Sequence, residues 1–165
     1  MKIRLLVLFV GLLSISAFSQ NEQPVFKQSK EFPAFALLQV NKTILTPAKI
    51  KKNVPTVIIY FSPGCEHCLH QMDSMMKRSA DLKKYQFVMA TYQPIEELVD
   101  FNRKYQLTKH SNFYTGRDTN YYLPPFYQIR NFPYMAFYDK TGKLLSTFEG
   151  NMSVDDMIKR FNKHI

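Results

Sequence analysis

The clearest pattern in the chain is the continuous apolar run "PTVIIYF" (55–61), whose β-branched and aromatic residues predict a strand buried on both faces. Ahead of it, "FALLQVNKTILT" holds two apolar stretches around Asn41 and Lys42, which predicts a hairpin. Behind it, Leu69, Met72, Met76 and Ala80 recur at helical spacing, so a helix with one apolar face is expected from about Cys65 to Leu82. Met72, Met75 and Met76 read as core filling, because flexible thioethers pack well. A second buried strand is expected at "QFVMATY" (86–92). The following helix, "PIEELVDFNRKYQL" (94–107), starts on Pro94, carries Glu96 and Glu97 at its positive end, and has Ile95, Leu98, Val99 and Tyr105 as its stripe.

Residues 108–131 contain Gly116, Pro124, Pro125 and many tyrosines, and a short strand, a loop and a broken helix are expected there. "PYMAFYD" and "KLLSTFEG" flank Lys140-Thr141-Gly142 and predict an antiparallel edge pair. Ser153, Asp155 and Asp156 then cap a helix whose Val154, Met157, Ile158 and Phe161 share one face. The alternation of strand and helix argues for an α/β architecture with parallel strands and right-handed crossovers.

Composition fits one domain with a substantial core: 165 residues, 45% hydrophobic and 15% aromatic. The formal charge of +9 is spread along the chain, and its longest cluster, Lys49-Ile50-Lys51-Lys52, is short. A solvated basic surface follows, with no nucleic-acid partner. The start, "MKIRLLVLFVGLLSISAFSQ", pairs Lys2 and Arg4 with an apolar run from Leu5 to about Phe18 and small residues at Ala17 and Ser19. It reads as a signal peptide over residues 1–19. An uncleaved anchor is the weaker reading, since the run is short for a span and contains Gly11, Ser14 and Ser16. The polar stretch 20–30 reads as an extended arm, which leaves 31–165 as the folded domain.

Export changes the meaning of the two cysteines, Cys65 and Cys68 in "FSPGCEHCLH", because disulfides persist outside the reducing cytosol. Three positions apart, they would close a loop too small to staple distant parts of the fold, and a reactive role is the better reading. A strand running into C-x-x-C at a helix start places Cys65 among unpaired N–H groups at the positive helix end, which favours its thiolate, with Cys68 one turn in to resolve a mixed disulfide. His67 would stabilise that thiolate and Glu66 would oppose it. His70 and Gln71 are read as facing solvent or the helix flank, without a role.

Three rivals use the same residues. Covalent haem wants C-x-x-C-H, but Leu69 follows Cys68 and the histidine comes one place late, at His70. Zinc would need a second ligand pair, and His110 and His164 show no paired spacing. A peroxidatic cysteine is suggested by "FSPGC", which resembles part of some peroxiredoxins, yet the proline of that pattern is replaced by Ile58. The reading calls for no cofactor and no metal.

Taken together, "PTVIIYFSPGCEHC" and "YQIRNFPYMAFYDKTGKLLSTFEG" resemble the thioredoxin superfamily, and more narrowly its exported bacterial oxidoreductases, from about residue 30 onward. The resemblance implies a thioredoxin-like fold, a central mixed β-sheet flanked by helices on both faces. It also implies a cis Pro133 opposite Cys65 and a Phe132 backbone that pairs with the bound substrate segment. Departures are equally visible: Gly64 stands where the family has tryptophan, Ile59 where cytosolic members bury an acid, and Gln71 where some exported reductants carry glutamate.

The expected protein is an exported, periplasmic thiol–disulfide oxidoreductase. Its partners would be protein thiols and disulfides and a separate redox partner, for which a membrane-bound donor is a candidate. A redox-inert binding domain of the same fold and a thiol peroxidase are the alternatives. The tyrosines at 114, 121 and 122 either extend the substrate groove or cover the core.

Overall fold

The computed structural model describes Phe26 and residues 32–162. The expected signal segment at 1–19 and His164 lie outside the described residues, as does residue 31, the start of the expected domain. Of the expected arm at 20–30, Phe26 alone is described, and it is helical and buried rather than part of an extended linker. Its ring meets Tyr127 edge-on at 5.4 Å, so aromatic burial fixes this position to the fold.

Among the described residues, seven strands form one mixed sheet in the order β2-β1-β5-β4-β3-β6-β7. They are β1 (Leu37–Leu38), β2 (Ile44–Leu45), β3 (Thr56–Tyr60), β4 (Gln86–Thr91), β5 (Phe113–Arg117), β6 (Tyr134–Tyr138) and β7 (Leu144–Glu149). The α-helices described after β3 are α1 (Glu66–Lys77), α2 (Ile95–Lys104), α3 (Leu123–Tyr127) and α4 (Val154–Asn162). Strands β3, β4 and β5 run parallel, joined by α1 and α2, while β6 returns antiparallel beside β3. The 134–149 hairpin forms as expected, but β6 is interior and β7 alone holds the edge.

Every residue of β3 is buried, because both faces of the sheet are covered. Val57, Ile59 and Phe61 point into a core shared with α1, α2 and α4. Ile58 and Tyr60 point into a second core with α3, Phe26 and Phe35. At the β1 border, a Cβ on Gly116 would lie 2.6 Å from the Leu37 Cβ, so close strand approach requires glycine there. Among the described residues no helix is long and apolar enough to cross a membrane.

Helix α1 departs from the sequence pattern in length and phase. It ends at Lys77, five residues short of the expected Leu82, and residues 78–85 continue in tight turns, with Tyr85 N–H donating to the Leu82 carbonyl. The turns bring Leu82 and Tyr85 into the core at 1% and 3% exposure and leave Ala80 outside. Arg78 anchors this bend through Asp81 and Asp155, at 2.6 and 2.9 Å. The buried face is Cys68, Gln71, Met72 and Met75, one position round from the expected stripe of Leu69, Met72, Met76 and Ala80.

Gln71 makes that phase possible. It is buried, not solvent-facing as its sequence context suggested, and its Oε1 accepts the Met152 N–H at 2.7 Å. A buried amide is tolerable only with such partners. Replacing Gln71 by alanine orphans the Met152 N–H, and a loss of about 1–3 kcal/mol is expected in urea unfolding. An unchanged midpoint would show that water reaches that N–H.

Candidate active site

The sheet delivers the candidate residues to one end. Strand β3 runs out at Tyr60, and the chain turns through Ser62, Pro63 and Gly64, where the Cys65 N–H donates to the Ser62 carbonyl at 3.1 Å. Cys65 is the N-cap of α1, in extended conformation, and its carbonyl accepts the Leu69 N–H at 3.0 Å. Its sulfur therefore stands at the positive end of the helix, near N–H groups with no intrahelical partner. Both cysteines are free thiols, Cys65 half-buried and Cys68 buried. The Cys68 thiol is pushed up to about 12, by burial first and then by its hydrogen bond with the Cys65 sulfur.

Glu66 and His67, the two residues between the cysteines, are exposed, as is His70. Beside the turn, a cleft of about 420 Å³ opens between α1 and α2, lined by Pro63, Gly64, Leu69 and Phe101 among others. A Cβ on Gly64 would meet no heavy atom within 4 Å, so the turn is open on this side.

Opposite, β6 brings in the second motif. The Phe132–Pro133 peptide bond is cis, Pro133 is buried and Phe132 is half-buried. Tyr134 pairs with Tyr60, which places Phe132 and Pro133 beside the same strand end from which Cys65 emerges. Phe132 also packs against the core that takes Cys65. Among the described residues, the Phe132 N–H and C=O make no backbone hydrogen bond.

Several neighbours left little trace in the sequence. Asp118, just beyond β5, is 3% exposed and accepts the Tyr122 and Leu123 N–H groups at 3.0 and 2.8 Å. The readable signal was an acid four to five residues ahead of a helix start. The Tyr60 hydroxyl is held well above the ordinary tyrosine range by burial, then by the charge of Asp118 and by nearby Tyr121 and Tyr92. It makes no well-formed hydrogen bond among the described residues. Gln93 reaches from the end of β4 to the Ser62 Oγ at 3.3 Å and braces the cysteine turn. Among the described residues no three His, Cys, Asp or Glu side chains gather closely enough to share a metal ion.

Solved structures share this fold. A secreted disulfide oxidoreductase of Mycobacterium tuberculosis, homologous to E. coli DsbE, is 21% identical with a TM-score of 0.63, over 77% of this chain and 93% of that one. A thiol-disulfide oxidoreductase from Bacteroides fragilis is 15% identical with a TM-score of 0.64, over 78% and 97%. The exposed lipoprotein thioredoxin Etrx1 of Streptococcus pneumoniae is 21% identical with a TM-score of 0.61, over 78% and 98%. At such identities the likeness is one of fold. No curated protein matches the chain by sequence. The model of the thioredoxin-like domain family matches residues 45–165, a stretch that runs from the end of β2 through both cysteines, Pro133 and α4. The chain therefore belongs to the thioredoxin-like domain family.

Proposed function

We propose that this protein is an exported thiol–disulfide oxidoreductase that exchanges dithiol and disulfide with protein substrates through Cys65 and Cys68. The observation that carries the reading is the asymmetry of the pair: an accessible sulfur at a helix start and, one turn in, a buried thiol held protonated. In one direction the Cys65 thiolate attacks a client disulfide. The client S–S bond breaks, a Cys65–client disulfide forms, and the departing client sulfur takes up a proton. Cys68 then loses its proton and attacks the Cys65 sulfur, which releases the second client thiol and leaves a Cys65–Cys68 disulfide. Two electrons pass from the protein to the client, and the reverse sequence oxidises a client dithiol. The return of the site to its starting state requires a second thiol or disulfide partner.

The other residues have supporting parts. The free N–H and C=O of Phe132 offer the edge positions against which an extended client segment can pair, next to Pro133. His67 stabilises the Cys65 thiolate and Glu66 opposes it, so the two set the potential between them. Export, with the periplasm as compartment, agrees with the apolar run after Lys2 and Arg4.

The test is insulin reduction with dithiothreitol, comparing the protein with a Cys65→Ser/Cys68→Ser variant. The wild type is expected to shorten the lag before insulin precipitates, and the variant to match the uncatalysed control. Equal rates would replace the enzyme reading with that of a binding domain.

A further inference from the structure

Three of the exposed large apolar side chains, Tyr92, Tyr121 and Tyr122, lie at the end of the sheet that carries the cysteines. Tyr92 follows β4 and meets Tyr121 edge-on at 5.8 Å. It also lies 6.4 Å from Phe132, whose ring is 5.8 Å from that of Tyr60. These contacts make one continuous aromatic shelf from Tyr121 to the residue before Pro133. Tyr122, the residue after Tyr121, stacks instead on Phe126 at 5.6 Å.

The shelf is built at a conformational cost. Tyr121 has a φ of 50°, in the left-handed region that bulky residues avoid, yet 54% of its surface is exposed. Core packing therefore does not explain the strain. Asp118 holds the segment in place: its carbonyl accepts the Tyr121 N–H at 3.2 Å and its buried carboxylate accepts the next two N–H groups. Arg117 brings a positive charge to the Tyr92 side of the shelf. Arg117 donates from Nε to the Tyr92 carbonyl at 3.3 Å, and among the described residues it has no ion-pair partner. The Asp118 carboxylate is buried and committed to backbone donors, so it does not cancel that charge at the surface.

We infer that this shelf is a docking site for client polypeptides that carry an aromatic side chain and a carboxylate beside the reacting cysteine. The rings of Tyr92, Tyr121 and Phe132 take the aromatic group, and the Arg117 guanidinium, whose Nε is held by the Tyr92 carbonyl, takes the carboxylate through its Nη groups. Polar-tipped aromatics suit this work, since they bind an apolar ring while remaining wettable when the site is empty. The inference rests on the exchange activity proposed above, and it supplies a client preference that the two cysteines alone cannot give.

The test uses two labelled disulfide peptides that differ only in Phe-Asp against Gly-Ser beside one cysteine. Binding is read by anisotropy on the Cys65→Ser/Cys68→Ser protein, and exchange is read on the dithiol protein. The Phe-Asp peptide is expected to bind and to exchange about tenfold better. In a Tyr92→Ala/Tyr121→Gly variant that advantage falls to near one; glycine at 121 accepts the positive φ, so the fold is kept. Arg117→Gln lowers the advantage by about threefold and flattens its salt dependence. Equal binding of the two peptides, or an advantage that survives the loss of both tyrosines, overturns the shelf. If the Phe-Asp peptide binds better but neither peptide exchanges, the shelf stands and the proposed reaction falls.

Discussion

Replacing Cys65 by serine is expected to abolish exchange, with a fall of about a thousandfold or more in turnover of a disulfide client. The thiolate is the nucleophile in this chemistry, and a serine hydroxyl does not ionise near neutral pH or form the mixed disulfide. Cys68 cannot substitute, because the residue is 3% exposed and its sulfur is held as the thiol. The Cys68→Ser variant fails differently. Its Cys65 still attacks, but no second sulfur resolves the product, so client adducts should accumulate that resist denaturant and disappear on treatment with dithiothreitol. Non-reducing gels of the two variants with a disulfide client distinguish the roles. Near-normal turnover by Cys65→Ser would remove Cys65 from the mechanism.

Much of this site was legible because its determinants are local or rest on a long, uniform pattern. The unbroken β-branched and aromatic run at 55–61 reads as a strand covered on both faces, and C-x-x-C, beginning four residues after it, falls at the start of the next helix. The capping of α4 was equally readable, since Ser153 and Asp156 satisfy one another within a single turn, at 2.7 and 3.1 Å. The cis bond before Pro133 came from family likeness, not from residue physics.

What escaped the sequence depends on partners far along the chain. The stripe read from spacing after Cys68 is one position off, and the observed phase buries Gln71 against the N–H of Met152, 81 positions away. A glutamine looks like a surface residue until a buried N–H from another element claims it. The early end of α1 has the same origin, because Arg78 bonds to Asp155 across the fold and no glycine or proline marks the break. Asp118 and Tyr60 stand 58 positions apart in the sequence, and their electrostatic coupling exists only once β5 and β3 end on the same side of the sheet.

The second large effect is a difference in alkylation between the two cysteines of the native dithiol protein. Cys65 is half-exposed at the mouth of the site and is expected to react with iodoacetamide at pH 8. Cys68, with its thiol pushed up to about 12, holds only about one part in ten thousand as thiolate at that pH, against roughly a quarter for an ordinary cysteine near 8.5. A labelling ratio of about a thousandfold or more is therefore expected by peptide mass mapping. The sign follows from the direction of the shift: the fold favours the protonated form, so Cys68 labelling climbs about tenfold per pH unit above pH 8 and levels off only near 12. The corresponding stabilisation of the folded dithiol is complete below the unfolded value near 8.5 and drains away between there and about 12. Burial is the larger cause of the shift and survives alkylation of Cys65, so Cys68 should stay protected after Cys65 has been blocked. In denaturant the Cys68 thiol returns to its ordinary value, and the two sulfurs should label at similar rates. Equal labelling of the native protein at pH 8 would mean that Cys68 is neither buried nor held protonated. The asymmetry on which the exchange mechanism rests would then be lost.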